Sequence, residues 1–233
     1  MKILAVDSSA KSASVAITEN DKLISESFVN VGLTHSETLM PMIDSTLKFA
    51  GLNIDDIDSF CVTAGPGSFT GIRIGIAAVK GLAQPSGKPC FGVSTLEAMA
   101  YNNEDFNGII CCTMDARRSQ VYFALFSCRK KEIKRLSQDI AISLEELYNI
   151  LKDYEENILL AGDGAEICFD YLKEKLSNVS LSAGQTKLQR AYGAVMAVVR
   201  QGSESVKAEE LNPVYLRPSQ AERELNNKKE NLL

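Results

Sequence analysis

The first 29 residues, MKILAVDSSAKSASVAITENDKLISESFV (1–29), contain three apolar segments separated by two short polar turns. The apolar segments lie at 3–6, 12–17 and 23–29, and they have the length and the composition of β-strands. Asp, Ser and Asn in the connecting segments favour tight turns. The stretch therefore predicts a three-stranded meander at the start of the chain.

The same order of segments returns near the middle of the chain, in GIICCTMDARRSQVYFALFSCRKKEIKRLSQDIAIS (108–143). When Asp7 is aligned with Asp115, the offset is 108 residues (115 − 7) and Ala16 falls on Ala124 without a gap. The repetition predicts a second meander.

Each meander is followed by an amphipathic helix, a strand and a glycine turn. The helices begin with capping-box patterns, Thr34 with Glu37 and Ser143 with Glu146, and the turns are TAGPG (63–67) and LAGDG (160–164). Internal repetition on this scale is a strong indicator of architecture. We therefore predict an α/β fold made of two copies of a β-β-β-α-β-α plan, as in the actin, sugar-kinase and heat-shock ATPase folds.

The polar segment at 102–108 is the predicted boundary between two subdomains, 1–103 and 104–218. The first of these also contains the candidate partner-binding helices described below. Residues 219–233, SQAERELNNKKENLL, are highly charged and have no sustained apolar period, so we expect a solvated tail there.

Composition limits the classes of function. The 233 residues are 45% hydrophobic and 24% charged, which is typical of a globular protein, and the net charge is -5. A net acidic chain is a poor match for the clustered Lys and Arg of a nucleic-acid backbone surface. No apolar run approaches the roughly 18 residues of a membrane span, and six cysteines without C-x-x-C spacing fit a reducing compartment. We expect a cytoplasmic protein without a membrane-spanning segment.

Two turns have the residue types of a phosphate site. In the first turn, Asp7, Ser8 and Ser9 would wrap phosphate and Asp7 would organise a metal; in the second, Gly65, Gly67 and Ser68 would present backbone N–H groups at a helix start. The alternatives are a hairpin turn with local side-chain bonds and a tight strand-to-helix turn. The second turn lacks the Gly-Lys-Ser/Thr of a Walker A loop.

The helix after the glycine turn has two apolar stripes instead of one. Ile72, Ile76 and Val79 form one stripe, and Ile74, Ala78 and Leu82 form another. A helix on a sheet needs a single apolar face, so the second stripe indicates either burial between subdomains or a partner surface.

The preceding helix carries two methionines, Met40 and Met42, beside the stripe Leu39, Ile43 and Leu47. Met42 and Ile74 lie off the stripes that we assign to the core, so we expect them to point outward. Periodicity alone also fits the reverse orientation, in which those stripes face outward. The candidate partner-interface residues on the two helices are Leu39, Met40, Met42, Ile43, Ile72, Ile74, Ala78 and Leu82.

Candidate catalytic groups are few. His35 is the only histidine, and its place at a helix start favours a capping or surface role. No cluster in the sequence has the spacing of a metal site, and no Ser-His-Asp or Cys-His set is evident. We predict no catalytic residue, no metal and no cofactor.

Seven segments carry a resemblance to a known family. They are DSSAKSASVAI (7–17), HSETLMPMI (35–43), TAGPGSFTGIRIGIAAVKGLA (63–83), VSTLEAMA (93–100), DARRSQVYFALF (115–126), AGDGA (161–165) and NPVYLR (212–217). They lie in order along nearly the whole chain, and together they resemble the bacterial TsaB family. The block GPGSFTGIR with STLEAMA is the most specific part of the match.

The resemblance implies a non-catalytic, dimerising protein that has the duplicated fold. Its expected partner is the catalytic paralogue TsaD, bound through the first two helices. With the ATPase subunit TsaE, that complex transfers threonylcarbamoyl to N6 of adenosine 37 in tRNAs that read codons beginning with A. TsaD carries a His-x-x-x-His metal site after the glycine-turn helix, whereas GVSTLEAMA (92–100) has no histidine. Contact with tRNA would then come only through the complex.

Three alternatives to this function remain open from the residues. An ATP-dependent kinase of the same fold would use Asp7 and the glycine turns on phosphates. A peptidase would need a metal or a nucleophile, and a homodimer scaffold would use the same helices on a second copy.

Overall fold

The structure is a computed structural model that describes residues 1–117 and 119–217. The first half contains strands β1 (Lys2–Asp7), β2 (Ala13–Glu19), β3 (Lys22–Val29), β4 (Ser59–Gly65) and β5 (Cys90–Ser94), with helices α1 (His35–Ala50), α2 (Phe69–Ala83) and α3 (Thr95–Tyr101). The sheet order is β3-β2-β1-β4-β5. The first three strands are an antiparallel meander, and β4 and β5 run parallel to β1.

The second half repeats this arrangement. Its strands are β6 (Gly108–Asp115), β7 (Gln120–Arg129), β8 (Glu132–Arg135), β9 (Ile140–Ser143), β10 (Ile158–Ala161) and β11 (Val179–Leu181), and its helices are α4 (Leu144–Leu151), α5 (Ala165–Leu172), α6 (Gly184–Lys187) and α7 (Ala191–Gln201). The sheet order is β11-β10-β6-β7-β8, and β9 also pairs with β7. Short 3-10 helices lie at Ile54–Asp56, Gln84–Ser86 and Ala208–Glu210. The duplicated α/β plan predicted from the sequence is confirmed.

The alignment of Asp7 with Asp115 is wrong by one residue. Ala16 and Ala124 do correspond, since each faces the helical layer between the sheets, but their partners across the ladders are Ala5 and Cys112. Those partners are 107 residues apart, so the hairpin of the second half is one residue longer. Asp7 therefore corresponds to Met114.

Six helices pack on the two sheets, four on the outer faces and two between the sheets. α1 and α2 pack on one face of the first sheet, and α4 and α5 pack on one face of the second. Between the sheets, α3 and α7 contact each other, with α7 packed against the first sheet and α3 against both. The predicted boundary at 102–108 is the connection from α3 to β6, and the predicted tail at 219–233 lies outside the described residues.

Only one of the two predicted capping boxes forms. Ser143 and Glu146 bond reciprocally at the start of α4: the Ser143 backbone N–H donates to Glu146 Oε2 (2.7 Å), and the Glu146 N–H donates to Ser143 Oγ (3.2 Å). Thr34 precedes α1 as predicted, but its side chain makes no cap bond. The start of α1 is held instead by His35, whose Nε2 bonds to the Ala10 carbonyl oxygen at 2.7 Å.

Candidate functional site

The glycine turn after β4 packs directly against the turn between β1 and β2. Gly67 has a φ of 156°, and a Cβ there would overlap the Ser9 carbonyl oxygen. That carbonyl accepts a hydrogen bond from the Ser68 N–H (2.7 Å), and Ser68 Oγ accepts one from the Gly71 N–H (3.2 Å). The turn therefore leads a strand sharply into α2 while its backbone contacts another turn, which only glycine permits.

Most polar atoms at the β1–β2 turn bond within the chain, whereas Asp7 Oδ2 is buried and has no hydrogen-bond partner among the described residues. Asp7 is 1% exposed, and its Oδ1 accepts hydrogen bonds from the Ser9 N–H (2.9 Å) and from Ser9 Oγ (2.7 Å). Ser8 Oγ donates to the Gly71 carbonyl oxygen (2.8 Å). Burial raises the pKa of the Asp7 carboxyl above its ordinary value of 3.8. These contacts favour a packed turn over an open phosphate loop.

A cleft of about 420 Å³ opens between the two halves. One wall consists of the β1–β2 turn and the start of α2, and the other consists of the β6–β7 turn with residues nearby. The lining residues are Ser9, Ala10, Lys11, Gly67, Ser68, Phe69, Thr70, Met114, Asp115, Ala116, Arg117, Tyr122 and Asp163. Of the predicted phosphate residues, Ser9, Gly67 and Ser68 line the cleft, whereas Asp7, Ser8 and Gly65 do not.

Charges of both signs line this cleft. Lys11 and Arg117 are cationic, and Asp115 and Asp163 are acidic. Gln189 Nε2 donates to Asp163 Oδ1 (2.9 Å), and burial raises the pKa of the Asp163 carboxyl. Within residues 1–117 and 119–217, His, Cys, Asp and Glu form no cluster suited to a metal ion.

The outward assignment of Met42 is wrong. Met42 is 7% exposed and packs in the core with Leu39 and Ile43, whereas Met40 is 47% exposed. The buried stripe of α1 continues to Thr46, a polar residue that hides the stripe from a hydrophobicity pattern. Four of the candidate interface residues, Leu39, Met42, Ile43 and Ile72, are thus covered within the chain itself.

The stripes of α2 are oriented as predicted. Ile72, Ile76 and Val79 are buried, while Ile74, Ala78 and Leu82 are half-buried at the edge of the core. Helices α1 and α2 contact each other, so their outer sides are neighbours.

Three exposed apolar residues around α1 were missed by the sequence reasoning. Phe49 is 83% exposed, and Val31 and Leu33, in the loop before the helix, are 68% and 58% exposed. The sequence does contain a sign that Val31 and Leu33 are exposed. They are aliphatic residues in a short polar loop, outside the hydrophobic period of any strand or helix, so no element is available to bury them. We call the exposed or half-buried set Val31, Leu33, Met40, Phe49, Ile74, Ala78 and Leu82 the α1–α2 face.

Comparison with known proteins assigns the chain to a family. A family model described as tRNA N6-adenosine threonylcarbamoyltransferase (TsaD) matches residues 30–221. The tRNA threonylcarbamoyladenosine biosynthesis protein TsaB of Escherichia coli is 31% identical over 233 residues, covering 98% of this chain and 100% of that protein. The chain belongs to the TsaB family.

Solved structures agree with the TsaB assignment. YeaZ from Pseudomonas aeruginosa is 26% identical, with a TM-score of 0.78 over 92% of this chain and 99% of that chain. Component A of the (R)-2-hydroxyglutaryl-CoA dehydratase of Acidaminococcus fermentans has a TM-score of 0.53 at 12% identity, covering 88% of this chain and 100% of that chain. At 12% identity, the similarity to component A supports the fold alone. No helix among the described residues is long and apolar enough to cross a membrane.

The segment at 92–100 has a structural role in this TsaB-family chain. It forms the end of β5 and most of α3, and Leu96, Met99 and Ala100 are completely buried. Leu96, Met99 and Ala100 pack against β6 and β7 of the second half. Apolar core residues therefore occupy the stretch that, by the resemblance, corresponds to the histidine pair of TsaD.

Replacing Gly67 tests the packed turn. Gly67→Ala places a Cβ against the Ser9 carbonyl in a backbone conformation that alanine rarely adopts. We expect the free energy of unfolding to fall by more than about 1 kcal/mol. Gly81→Ala in α2 is the matched control, since a Cβ there meets nothing within 4 Å and should raise stability by about 0.5–1 kcal/mol. Equal effects of both changes in urea unfolding would contradict the packed turn.

Proposed function

We propose that this chain is the non-catalytic, dimerising subunit in the biosynthesis of tRNA threonylcarbamoyladenosine. It binds a TsaD-type catalytic subunit through the α1–α2 face. The names of the TsaB relatives and the match to the TsaD family model support the process. The observation that carries the binding mode is the exposed apolar surface of α1 and the loop before it, beside the half-buried outer stripe of α2.

The α1–α2 face has the features of a protein interface. Four apolar residues expose between 47% and 83% of their surface: Val31, Leu33, Met40 and Phe49. The apolar residues on the inner sides of α1 and α2 are buried. Exposed apolar side chains often mark contact sites, and the four exposed residues lie on α1 or in the loop before it. Met and aromatic residues are also enriched at interfaces, where they adapt to the partner or anchor it.

Two observations support a role without chemistry of its own. Asp7, which would organise a metal in an ATPase of this fold, is enclosed by its bonds to Ser9. The stretch at 92–100 is apolar core between the halves. The catalytic groups then belong to the partner, and this subunit contributes a binding surface.

The wider assembly follows from the same proposal. The ATPase subunit TsaE acts on the complex, tRNA is contacted through the complex, and the assembly works in the cytoplasm. In the absence of the catalytic subunit, the α1–α2 face can pair with a second copy of this chain, so a homodimer competes with the heterodimer. No cofactor is assigned to this chain.

A matched pair of methionines tests the binding mode. Met40→Glu places a charge on the α1–α2 face and should leave the melting temperature nearly unchanged, because the side chain is half exposed in the free chain. In the complex the charge would be buried without a partner, so affinity for the TsaD-type subunit should fall by about 100-fold or more. Calorimetric titration and thermal unfolding measure the two effects.

Two controls define the outcome. Met42→Glu charges the core and should lower the melting temperature by on the order of 10 °C. Ile167→Glu charges an exposed apolar residue of α5 in the second half, and it should alter neither property. A Met40→Glu variant that keeps full affinity would remove the interface from α1.

The isolated chain provides a second test. Because its net charge is -5, we expect it to bind tRNA only at the non-specific level, with a Kd of about 10⁻⁴ to 10⁻⁶ M that weakens with salt. We also expect no ATP turnover. Filter binding at two salt concentrations and a phosphate-release assay measure these. A tight, salt-resistant tRNA complex would contradict the proposal, and ATP hydrolysis that disappears in Asp7→Ala would favour the kinase alternative.

A further inference from the structure

The segment that follows α7 returns to the first half of the chain. Val206 pairs with Cys90 at the edge of β5 through two backbone hydrogen bonds of 2.8 and 2.9 Å. Ala208 and Leu211 are 5% and 2% exposed, and they belong to the core beneath α2. We call residues 206–217 the strap. Its first part is anchored on the first half.

The strap then follows α2 from its last turn to its first. Lys80 Nζ donates to the Glu209 carbonyl oxygen (3.2 Å), and the Val214 N–H donates to the Ala64 carbonyl oxygen (2.7 Å). At the first turn, the rings of Tyr215 and Phe69 stack with centroids 3.9 Å apart and planes 6° apart.

Arg73 completes this contact at the first turn of α2. Its Nε donates to Tyr215 Oη (2.7 Å), and its guanidinium lies 5.5 and 5.6 Å from the centroids of Phe69 and Tyr215. A stacked ring pair with a cation beside it is a geometrically specific contact. The position of Tyr215 is thereby fixed relative to the start of α2.

The end of the strap reaches the second half. Arg217 Nη1 donates to the Ala116 carbonyl oxygen (3.0 Å) in the turn between β6 and β7. Ala116 lies on one wall of the cleft and Phe69 on the other. Among the described residues, no hydrogen bond joins a lining residue of one wall directly to a lining residue of the other. The strap connects the two walls, through a hydrogen bond to Ala116 on one side and ring stacking on Phe69 on the other.

The two walls also meet in apolar packing, since Ala10 and Met114 belong to one core cluster, and further polar contacts between the halves lie outside the cleft lining. Arg190 at the start of α7 bonds to Glu26 of β3 (2.8 and 3.2 Å), and Ser94 Oγ donates to Asp139 Oδ2 (2.6 Å). Together with the packing of α3 on α7, these contacts form a joint between the sheets. Because the strap bonds to Ala116 on one wall and stacks on Phe69 of the other, a change in the separation of the walls would act on the strap.

We propose that the strap couples the two walls of the cleft to the first turn of α2. When the β6–β7 turn moves, the end of the strap moves with it because Arg217 is bonded to Ala116. Tyr215 then shifts relative to Phe69 and Arg73, which it contacts at the start of α2. The state of the cleft then changes the start of a helix that carries part of the α1–α2 face. The coupling rests on the fold and on these contacts, and it holds whether or not the proposed partner is correct.

Amide hydrogen exchange measured by NMR on the full chain tests the coupling across the cleft. Arg217→Ala should raise exchange of the Ile72 amide, which donates to the Ser68 carbonyl in the first turn of α2 and does not touch Arg217. Tyr215→Ala should raise exchange of the Ala116 amide on the opposite wall of the cleft. This amide donates to the Gln120 carbonyl oxygen. The expected increase is about two- to tenfold, as for the loss of one hydrogen bond.

The controls separate coupling from a general loss of stability. Lys187→Ala removes a cation that pairs with Glu166 in the second half, and it should leave both amides unchanged. The Leu160 amide, in the central part of the second sheet, should also stay unchanged in every variant. If Tyr215→Ala does not fold, Arg217→Ala alone decides the test.

Two results would overturn the coupling. In the first, exchange rises only beside the removed side chain, at Ala116 for Arg217→Ala and at the start of α2 for Tyr215→Ala. In the second, Leu160 accelerates as much as Ile72 and Ala116, which would make the effect global. Neither result depends on binding to another protein, so they do not bear on the proposed function.

Discussion

The hydrogen bond from the Ser68 N–H to the Ser9 carbonyl oxygen joins the two turns that shape the candidate site. It brings the turn after β1 against the turn after β4, at a distance that requires glycine at position 67. The contact encloses Asp7, fixes the start of α2 and forms one wall of the cleft. A turn that resembles a phosphate loop in sequence is thus occupied by the chain's own backbone, and the outer sides of α1 and α2 are left as the exposed apolar surface.

The architecture was predictable because local sequence patterns determine it, and these patterns occur twice in the chain. The period of the strands, the two glycine turns and the Ser143–Glu146 capping box all lie within short stretches, and the structure confirms them. The alignment of the halves failed by one residue because the pattern does not reveal how many residues a hairpin turn contains. Asp7 pairs with Ser14, whereas Asp115 pairs with Val121, and only the ladder shows the difference.

The candidate site was less predictable, because burial depends on what packs against each element. Met42 looked peripheral beside Leu39 and Ile43, but it lies three residues after Leu39 and is covered from the same side of the helix. The strap could not be inferred at all. Its sequence has no hydrophobic period that would predict a strand or a helix. Its contact between Tyr215 and Arg73 joins residues that are 142 positions apart in the chain. Contacts of that kind are set by the final position of the two halves.

The proposed function depends on binding of a TsaD-type subunit to the α1–α2 face. The most direct measurement is a methyl NMR titration of the chain, labelled at its methionines, with that subunit. Met40 lies on the face, Met114 lines the cleft, and Met196 is buried in α7, so one spectrum reports on the surface, the cleft and the core. We expect the Met40 signal to shift and the Met40 methyl group to lose its solvent accessibility, while the Met196 signal remains unchanged. A complex in which Met40 stays as in the free chain and Met114 shifts instead would contradict it.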